Sequence, residues 1–359
     1  MTVPDLPAGT TRGMTYRDAG VDIQAGERAV RLLRGKVAEA TRPEVVGGLG
    51  GFAALFALEP GRWRRPLLAS STDGVGTKLL IAQMLDRHDT VGIDLVAMVA
   101  DDLVVCGAEP LFLLDYLSCG RLVPERVAQI VGGVAEGCRQ AGCALVGGET
   151  AEHPGVLDED EYDLAGAGVG IVEADDLLGP DRVRDGDVLV AMASSGLHSN
   201  GYSLARRVLL GPRGLTLSDE VPELGRSLGE ELLQPTRIYA LDCLALAAGA
   251  QVHALAHITG GGLPGNVARV LPPGLEAVIE RASWTPPPVF ALVQKLGAVE
   301  RTEMEATFNL GIGMVAVVAA DSADASLTLL GERGIDAWIA GAVTSAGAAG
   351  GGARLVGCR

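Results

Sequence analysis

Apolar residues recur at helical spacing in DIQAGERAVRLLRGKVAEA, residues 22 to 40, where Ile23, Val30, Leu33 and Val37 share a face. The glycine-rich stretch VVGGLGGFAALFAL follows. PLLASSTDG then reads as a short apolar strand running into the loop STDGVGTK, with LLIAQMLDRH as the helix after it. DTVGIDLVAMVADDLVVCGAEP, residues 89 to 110, carries a helix-compatible stripe stopped by Gly107 and Pro110. LFLLDYLSC is a strand candidate, VPERVAQIVGGVAEGCRQAG an amphipathic helix closed by Gly142, and CALVGGET a buried strand ending in a glycine loop. DLAGAGVGIVEADDLLG gives one more strand and the first boundary.

A second unit is under way from Arg182. DGDVLVAMA is its first strand, SSGLHSNG a loop and YSLARRVLL a helix; PTRIYALDCLALAAG and PPPVFALVQKLG are later helices, and GIGMVAVVAA a strand. No fixed-period repeat is visible, and helices mix irregularly with strands, so the fold class expected is α+β in two domains. With 359 residues the division falls at 1–173, 174–343 and a low-complexity tail, 344–359, expected to be flexible.

Composition supports packed cores, since 48% of residues are apolar and only 21% charged. Glycine is about twice as common as usual, at 50 residues, and its pairs and triplets mark tight loops. A net charge of −16 argues against nucleic acid or an anionic membrane as partner. A local nest of N–H groups with a bound cation still holds phosphate in such a chain. No leader-like start and no run of eighteen apolar residues is present, so a cytoplasmic protein is expected. The six cysteines form no Cys-x-x-Cys pair and read as free thiols.

Candidate chemistry sits in the loops. STDGVGTK gathers Asp73, Gly74, Gly76, Thr77 and Lys78, a set that cradles a phosphate or makes an ordinary turn; it does not match the Walker pattern. In the helical stretch within 89–110, Asp94, Asp101 and Asp102 lie near one face, where they either hold a hard cation such as Mg²⁺ or keep the helix soluble. The loop Ser194, Ser195, Gly196, His198, Ser199, Asn200 precedes a helix, which suits either an anion or simple capping. His257 directly precedes Thr259, Gly260, Gly261 and Gly262, so it is either an acid/base group or a core histidine; His253 lacks a third metal ligand and reads as core. Asn309, before a glycine-marked β-bulge, is placed to bond a ligand amide.

Taken in order, YRDAGVDIQAG, RPEVVGGLGGF, TDGVGTK, HDTVGIDLVAM, GAEPLFLLDY, LVGGETAEHPG, SSGLHSNGYSLAR, PTRIY, HITGGGLPGN and EMEATFNLGIGM resemble the phosphoribosylformylglycinamidine cyclo-ligase family, aminoimidazole ribonucleotide synthetases, along nearly the whole chain. The resemblance implies a homodimer whose N-terminal α+β domain forms a shared barrel, beside a C-terminal α/β sandwich domain. It implies ATP and Mg²⁺ in the cleft between the domains, with formylglycinamidine ribonucleotide as the small-molecule substrate. By position, Asp73 and Asp102, with Asp101 beside them, would hold Mg²⁺. Lys78 would meet the phosphates, the loop of Gly47, Gly48, Gly50 and Gly51 would cover them, and Glu149 would contact the nucleotide. Ser195, His198 and the Thr259 to Gly262 loop would take the ribonucleotide's phosphate end, and His257 is the leading catalytic candidate. The chain departs from the family pattern at Asp101, where Asn is usual, at His153 in place of Met, and at Arg34 in place of Lys. The runner-up reading is a non-catalytic nucleotide-binding scaffold or a kinase-like relative.

Overall fold

The computed structural model describes residues 15–47, 51, 53–212, 214–347 and 351–358. Gly48 and Gly50 lie outside the described residues. The first unit runs α1 (Ile23–Glu39), β1 (Val45–Val46), β2 (Leu55–Phe56), β3 (Pro66–Gly74), α2 (Leu79–Leu85), α3 (Val91–Val104), β4 (Glu109–Cys119), α4 (Pro124–Ala141), β5 (Ala144–Glu152) and β6 (Tyr162–Glu173). Asp22 caps α1 by accepting from the N–H groups of Gln24 and Ala25, while α4 opens on Pro124 and closes on left-handed Gly142. A four-stranded mixed sheet in the order β3-β6-β4-β5 presents one face to α3 and α4.

The second unit follows with β7 (Val188–Ala193), α5 (Tyr202–Leu209), β8 (Glu220–Val221), β9 (Arg226–Ser227), α6 (Leu228–Leu232), α7 (Ala240–Gly249), β10 (Val252–His257), α8 (Gly262–Ala268), β11 (Leu275–Glu280), α9 (Pro288–Gly297), α10 (Arg301–Thr307), β12 (Ile312–Val318), α11 (Ala323–Glu332), β13 (Ala337–Ser345) and β14 (Gly352–Val356). Six of its eight strands form a sheet ordered β10-β12-β7-β13-β11-β14, and β8 pairs with β9 apart from it. Both faces are covered, so the strands alternate between two cores. Val190, Met192, Met314 and Ala316 join a large core that continues into the first unit, whereas Leu189, Ala191, Val315 and Val317 join a smaller one with Leu263 and Val267. The bulge expected near Asn309 appears as a register shift between Ile312 and Met314. No helix among the described residues is long and apolar enough to cross a membrane.

The tail expectation needs correction. Residues 352–356 are a strand, paired in parallel with β11 from Glu276↔Gly352 to Glu280↔Val356. The glycine-rich composition hid a short Ala-Arg-Leu-Val segment whose Ala353 and Leu355 pack on the smaller core. Residues Arg301–Thr307, just before β12, form the helix α10.

Helices α3 and α4 cross in unusually close contact at Gly92, where an added Cβ would stand 2.1 Å from Val134 N and 2.4 Å from Ile130 O. Gly92→Ala gains about 1 kcal/mol of helix propensity, but the crossing must spread. A net loss of roughly 2 kcal/mol in unfolding free energy is expected from urea titration. Unchanged stability would mean that the crossing yields freely.

Candidate active site

Helix α3 turns three acids toward the second unit. Asp94, Asp101 and Asp102 stand at i, i+7 and i+8, close to one helical stripe. Each meets a different segment across the interface. Asp94 Oδ1 accepts from Lys78 Nζ at 2.8 Å, from Thr236 N at 2.8 Å and from Thr236 Oγ1 at 2.7 Å. Asp101 Oδ1 accepts from Tyr239 N at 2.9 Å, and Asp102 Oδ1 from His257 Nδ1 at 2.9 Å.

This arrangement corrects the role expected of Lys78. Its ammonium is fully buried and spends all three donors inside the protein, on Asp94, on His198 O at 3.1 Å and on Gln234 O at 2.6 Å. Burial draws its pKa down against the pull of Asp94. Lys78 is an interdomain pin and has no N–H left for a phosphate. Asp101 is likewise a brace. It is fully buried, and burial pushes its carboxyl up to about 7 despite the nearby His257 and the Tyr239 N–H.

Beside these pins, where the two units meet, stand two buried histidines whose pKa values are pushed in opposite directions. His257, at the end of β10, points Nδ1–H at the Asp102 carboxylate and leaves Nε2 buried without a partner. Burial pulls its pKa down, but the Asp102 bond and the charges of Asp101, Asp102 and Asp73 overcome that and raise it. His198 sits in the left-handed region at φ 63° and accepts from Ser195 N through Nε2 at 3.1 Å. The other nitrogen, Nδ1, is buried and unpartnered. Burial first, then the charges of His257, Lys78 and Arg237, hold His198 well below its usual range. Two imidazoles pushed apart in this way titrate in different ranges, one as a cation and one as a neutral ring.

The glycine loops lie beside these histidines. Asn266, which carried no signal in the sequence reading, clamps 259–262 by donating from Nδ2 to Thr259 O, Gly260 O and Gly262 O. Gly260 faces Asn200, so the loops 194–200 and 259–262 are neighbours. Asn309 is corrected from ligand contact to brace. It is buried, with Oδ1 taking Gly311 N and Ser194 Oγ, and Nδ2 donating to Gly196 O. Ser199 is buried against Thr236, and Ser195 Oγ donates to Pro235 O. Gly313, at the bulge, has no room for a Cβ, which would stand 2.1 Å from Tyr239 Oη and 2.5 Å from His198 Cε1.

Asp73 Oδ1 accepts from Gly74 N, and its pKa is raised by burial and by the charge of Asp102. Gly76 and Thr77 are exposed beside it. Among the described residues no group of three or more His, Cys, Asp and Glu gathers in metal-ligating geometry. Asp73, whose pKa the Asp102 charge helps to raise, and Asp102 are oxygen donors of the kind a hard cation takes, with phosphate oxygens and water completing its shell.

The structure does not bring Glu149 and Gly51 to these histidines and Asp73. They line a cavity of about 780 Å³ between α1 and the edge strand β5, with Arg34, Leu33, Val131 and Leu145. Gly47 lines an adjoining cavity. The row Asp73, Gly166, Asp115, Gly148 crosses the sheet in register, which separates the two places by three strand spacings, ~14 Å. Asp115 also escaped the sequence reading. It lines the cavity, is nearly buried, and burial pushes its carboxyl up to about 7. His253, read as core, pairs with Asp187 at 2.7 Å.

Two family profiles match the chain. The AIR synthase related protein, N-terminal domain, covers residues 53–172, and the AIR synthase related protein, C-terminal domain, covers 184–352. A protein of Anaeromyxobacter sp. (strain K) named phosphoribosylformylglycinamidine cyclo-ligase is 55% identical over 334 residues, 93% of this chain and 96% of its own. One of Myxococcus xanthus (strain DK1622) with the same name is 53% identical over 332 residues, 92% and 96% of the two chains. Among solved structures, hydrogenase maturation protein HypE in complex with ATP gives a TM-score of 0.61 at 20% identity over 93% of this chain and 90% of that one. Thiamine-monophosphate kinase from Stenotrophomonas maltophilia K279a gives 0.65 at 20% identity over 91% and 95%. These two show a shared fold.

Removing one member of a buried ion pair strands the other charge. Lys78→Met is expected to lower unfolding free energy by about 3–5 kcal/mol in urea titration. A wild-type unfolding curve with only a raised KM for ATP would return Lys78 to the phosphates.

Proposed function

The chain belongs to the phosphoribosylformylglycinamidine cyclo-ligase family, and from that premise we propose how its interdomain cleft works. The enzyme is an ATP-dependent ligase of purine biosynthesis, closing formylglycinamidine ribonucleotide to 5-aminoimidazole ribonucleotide with release of ADP and phosphate. The observation that carries the site reading is the unpartnered, buried Nε2 of His257 beside Asp102 and Asp73.

A formyl amide oxygen is a poor leaving group, so it takes the terminal phosphoryl group of ATP. The substrate's own amidine nitrogen then closes on the activated carbon as phosphate departs. Little covalent work falls to the protein, which orients and neutralises. His257, its pKa raised, offers Nε2–H to the formyl oxygen or to the departing phosphate. Asp102 holds that ring and its tautomer. His198 stays neutral, and with Nε2 accepting from Ser195 N its proton resides on Nδ1, ready for a substrate oxygen or phosphate. The clamped 259–262 loop presents backbone N–H groups to the ribonucleotide's phosphate end.

Asp73 and Asp102 are the residues that would hold Mg²⁺, since their mutual repulsion is what a cation relieves. When bound, Mg²⁺ supplies charge neutralisation on phosphoryl oxygens. The cavity beside Glu149 and Gly51 has apolar walls suited to the nucleotide's base, with Glu149 at its rim. A cytoplasmic location stays part of this reading, supported by six free cysteines.

A homodimer closed through the first sheet is also proposed. The face turned away from α3 exposes Leu68 at 68%, Leu114 at 37% and Tyr116 at 44%, an apolar surface that a second copy would cover to close a barrel. Light scattering of a Leu68→Glu/Tyr116→Glu variant is expected to show monomers where the parent is a dimer. A variant that stays dimeric would place the interface elsewhere.

Substrate-dependent ADP release, one ADP for each aminoimidazole product, is the expected result with purified protein and Mg·ATP. His257→Asn should lower kcat by ~10²–10⁴-fold with ATP affinity within about twofold of the parent. Because the protonated ring is the working form, turnover falls as pH rises through its raised pKa. Equal losses in turnover and ATP binding would move His257 from chemistry to scaffold. ADP released without product would favour the kinase-like reading.

A further inference from the structure

Arg237 is a cation with nothing to hold. Its guanidinium makes no hydrogen bond or ion pair among the described residues, and Nη1 is sealed from water. This is unusual for the chain. Acids outnumber Lys and Arg by 45 to 29, and the comparably sheltered Arg42 pairs with both Glu44 and Glu109. A guanidinium half withdrawn from solvent and left without a counter-charge is costly unless an anion arrives to meet it.

The backbone around it is anything but loose. Gln234 O takes Lys78 Nζ, Pro235 O takes Ser195 Oγ, and Thr236 gives both its N–H and its hydroxyl to Asp94. Arg237 N donates to Ser195 Oγ at 3.1 Å, and Tyr239 N to Asp101. The segment is thus tied to both domains on either side of a side chain whose head is free. Its charge is close enough to His198 to help keep that ring neutral, and His198 Nδ1 is likewise buried without a partner. An unpaired guanidinium and an unpaired imidazole N–H beside the 194–200 loop are complementary to the oxygens of one phosphate group.

We infer that Arg237 is a substrate-binding residue of the cleft, holding a phosphate group with His198 as a neighbouring donor. The inference rests on the cyclo-ligase reading above for where the phosphate comes from. Two sources share this chemistry, the 5′-phosphate of the ribonucleotide and the phosphoryl group passing from ATP. Arg237 stands with Ser195 and His198, on the side of the ribonucleotide.

The test uses full-length parent, Arg237→Gln and Arg237→Lys. Calorimetric titration with ribose 5-phosphate and with ribose needs no turnover, and steady-state assays give KM for each substrate. Arg237→Gln is expected to abolish the difference between ribose 5-phosphate and ribose, and to raise KM for the ribonucleotide about 100-fold with KM for ATP within about twofold. Arg237→Lys, keeping charge without the planar fork, should recover part of the loss. Should the Gln variant fail to fold, the Lys variant is expected to show a loss of about tenfold confined to phosphate-bearing ligands. A rise in KM for ATP alone would assign the group to the phosphoryl in transit and keep Arg237 as its holder. Unchanged affinities for all phosphate-bearing ligands would overturn the inference. If the parent binds ribose 5-phosphate through Arg237 yet makes no aminoimidazole product, the cyclo-ligase reading falls and the anion site stands.

Discussion

One carboxylate oxygen fixes the relation of the two domains. Asp94 Oδ1 gathers an ammonium from the β3–α2 loop and two donors from Thr236 in the other unit, with no exposed surface on Lys78 or Asp94. In so dry a place the charges must satisfy each other, because neither tolerates the loss of its partner. The consequences spread along α3. Once Asp94 is seated, the helix stripe sets Asp101 against Tyr239 and Asp102 against His257, so the domain joint and the reactive cleft share one helix.

That sharing explains the electrostatics. His257 and His198 are both buried, and burial alone would neutralise both. Three carboxylates around His257 reverse the outcome there, while His198 faces only cations, so the rings separate in pKa without differing in depth. The charge of Asp102 also bears on Asp73, after burial, in raising its pKa. The carboxylates therefore serve twice in the proposed site, once by raising a histidine's pKa and once by offering a cation its oxygens.

Much of this was legible in the sequence, and the exceptions have physical causes. Long apolar stripes gave α3 and α4 to within a few residues, because helix periodicity needs only local order. The acid stripe at 94, 101 and 102 was visible too, but not its purpose: a carboxylate that binds a cation and one that accepts interdomain N–H groups look alike until the partner strand is placed. Lys78 misled for the same reason, since a lysine in a glycine loop reads as a phosphate ligand unless its burial is known. Asn309 and Asn266 exchanged roles, one expected at a ligand and found as a brace, the other unremarked and found holding the glycine loop. The tail hid a strand because β14 depends on an edge, β11, almost eighty residues earlier. Asp115 had no local signal at all, being an acid in an apolar strand whose neighbour Gly148 leaves no room for a Cβ, 2.2 Å from its Oδ1.

A chain with a net charge of −16 must still receive two phosphate-bearing substrates. Distant acids matter little, since salt screens exposed charges within ~10 Å. What counts is the sign of the field inside the cleft, and there three of the four acids are already engaged: Asp94 by Lys78 and Thr236, Asp101 by Tyr239, Asp102 by His257. The groups left without partners are mostly donors or potential donors, His198 Nδ1, His257 Nε2 and Arg237 Nη1, alongside the second oxygens of Asp94 and Asp101 that stay buried in the joint. The domain joint thus absorbs negative charge that would repel an anion and leaves the cleft its N–H groups, so assembly of the two domains and affinity for phosphate follow from the same bonds.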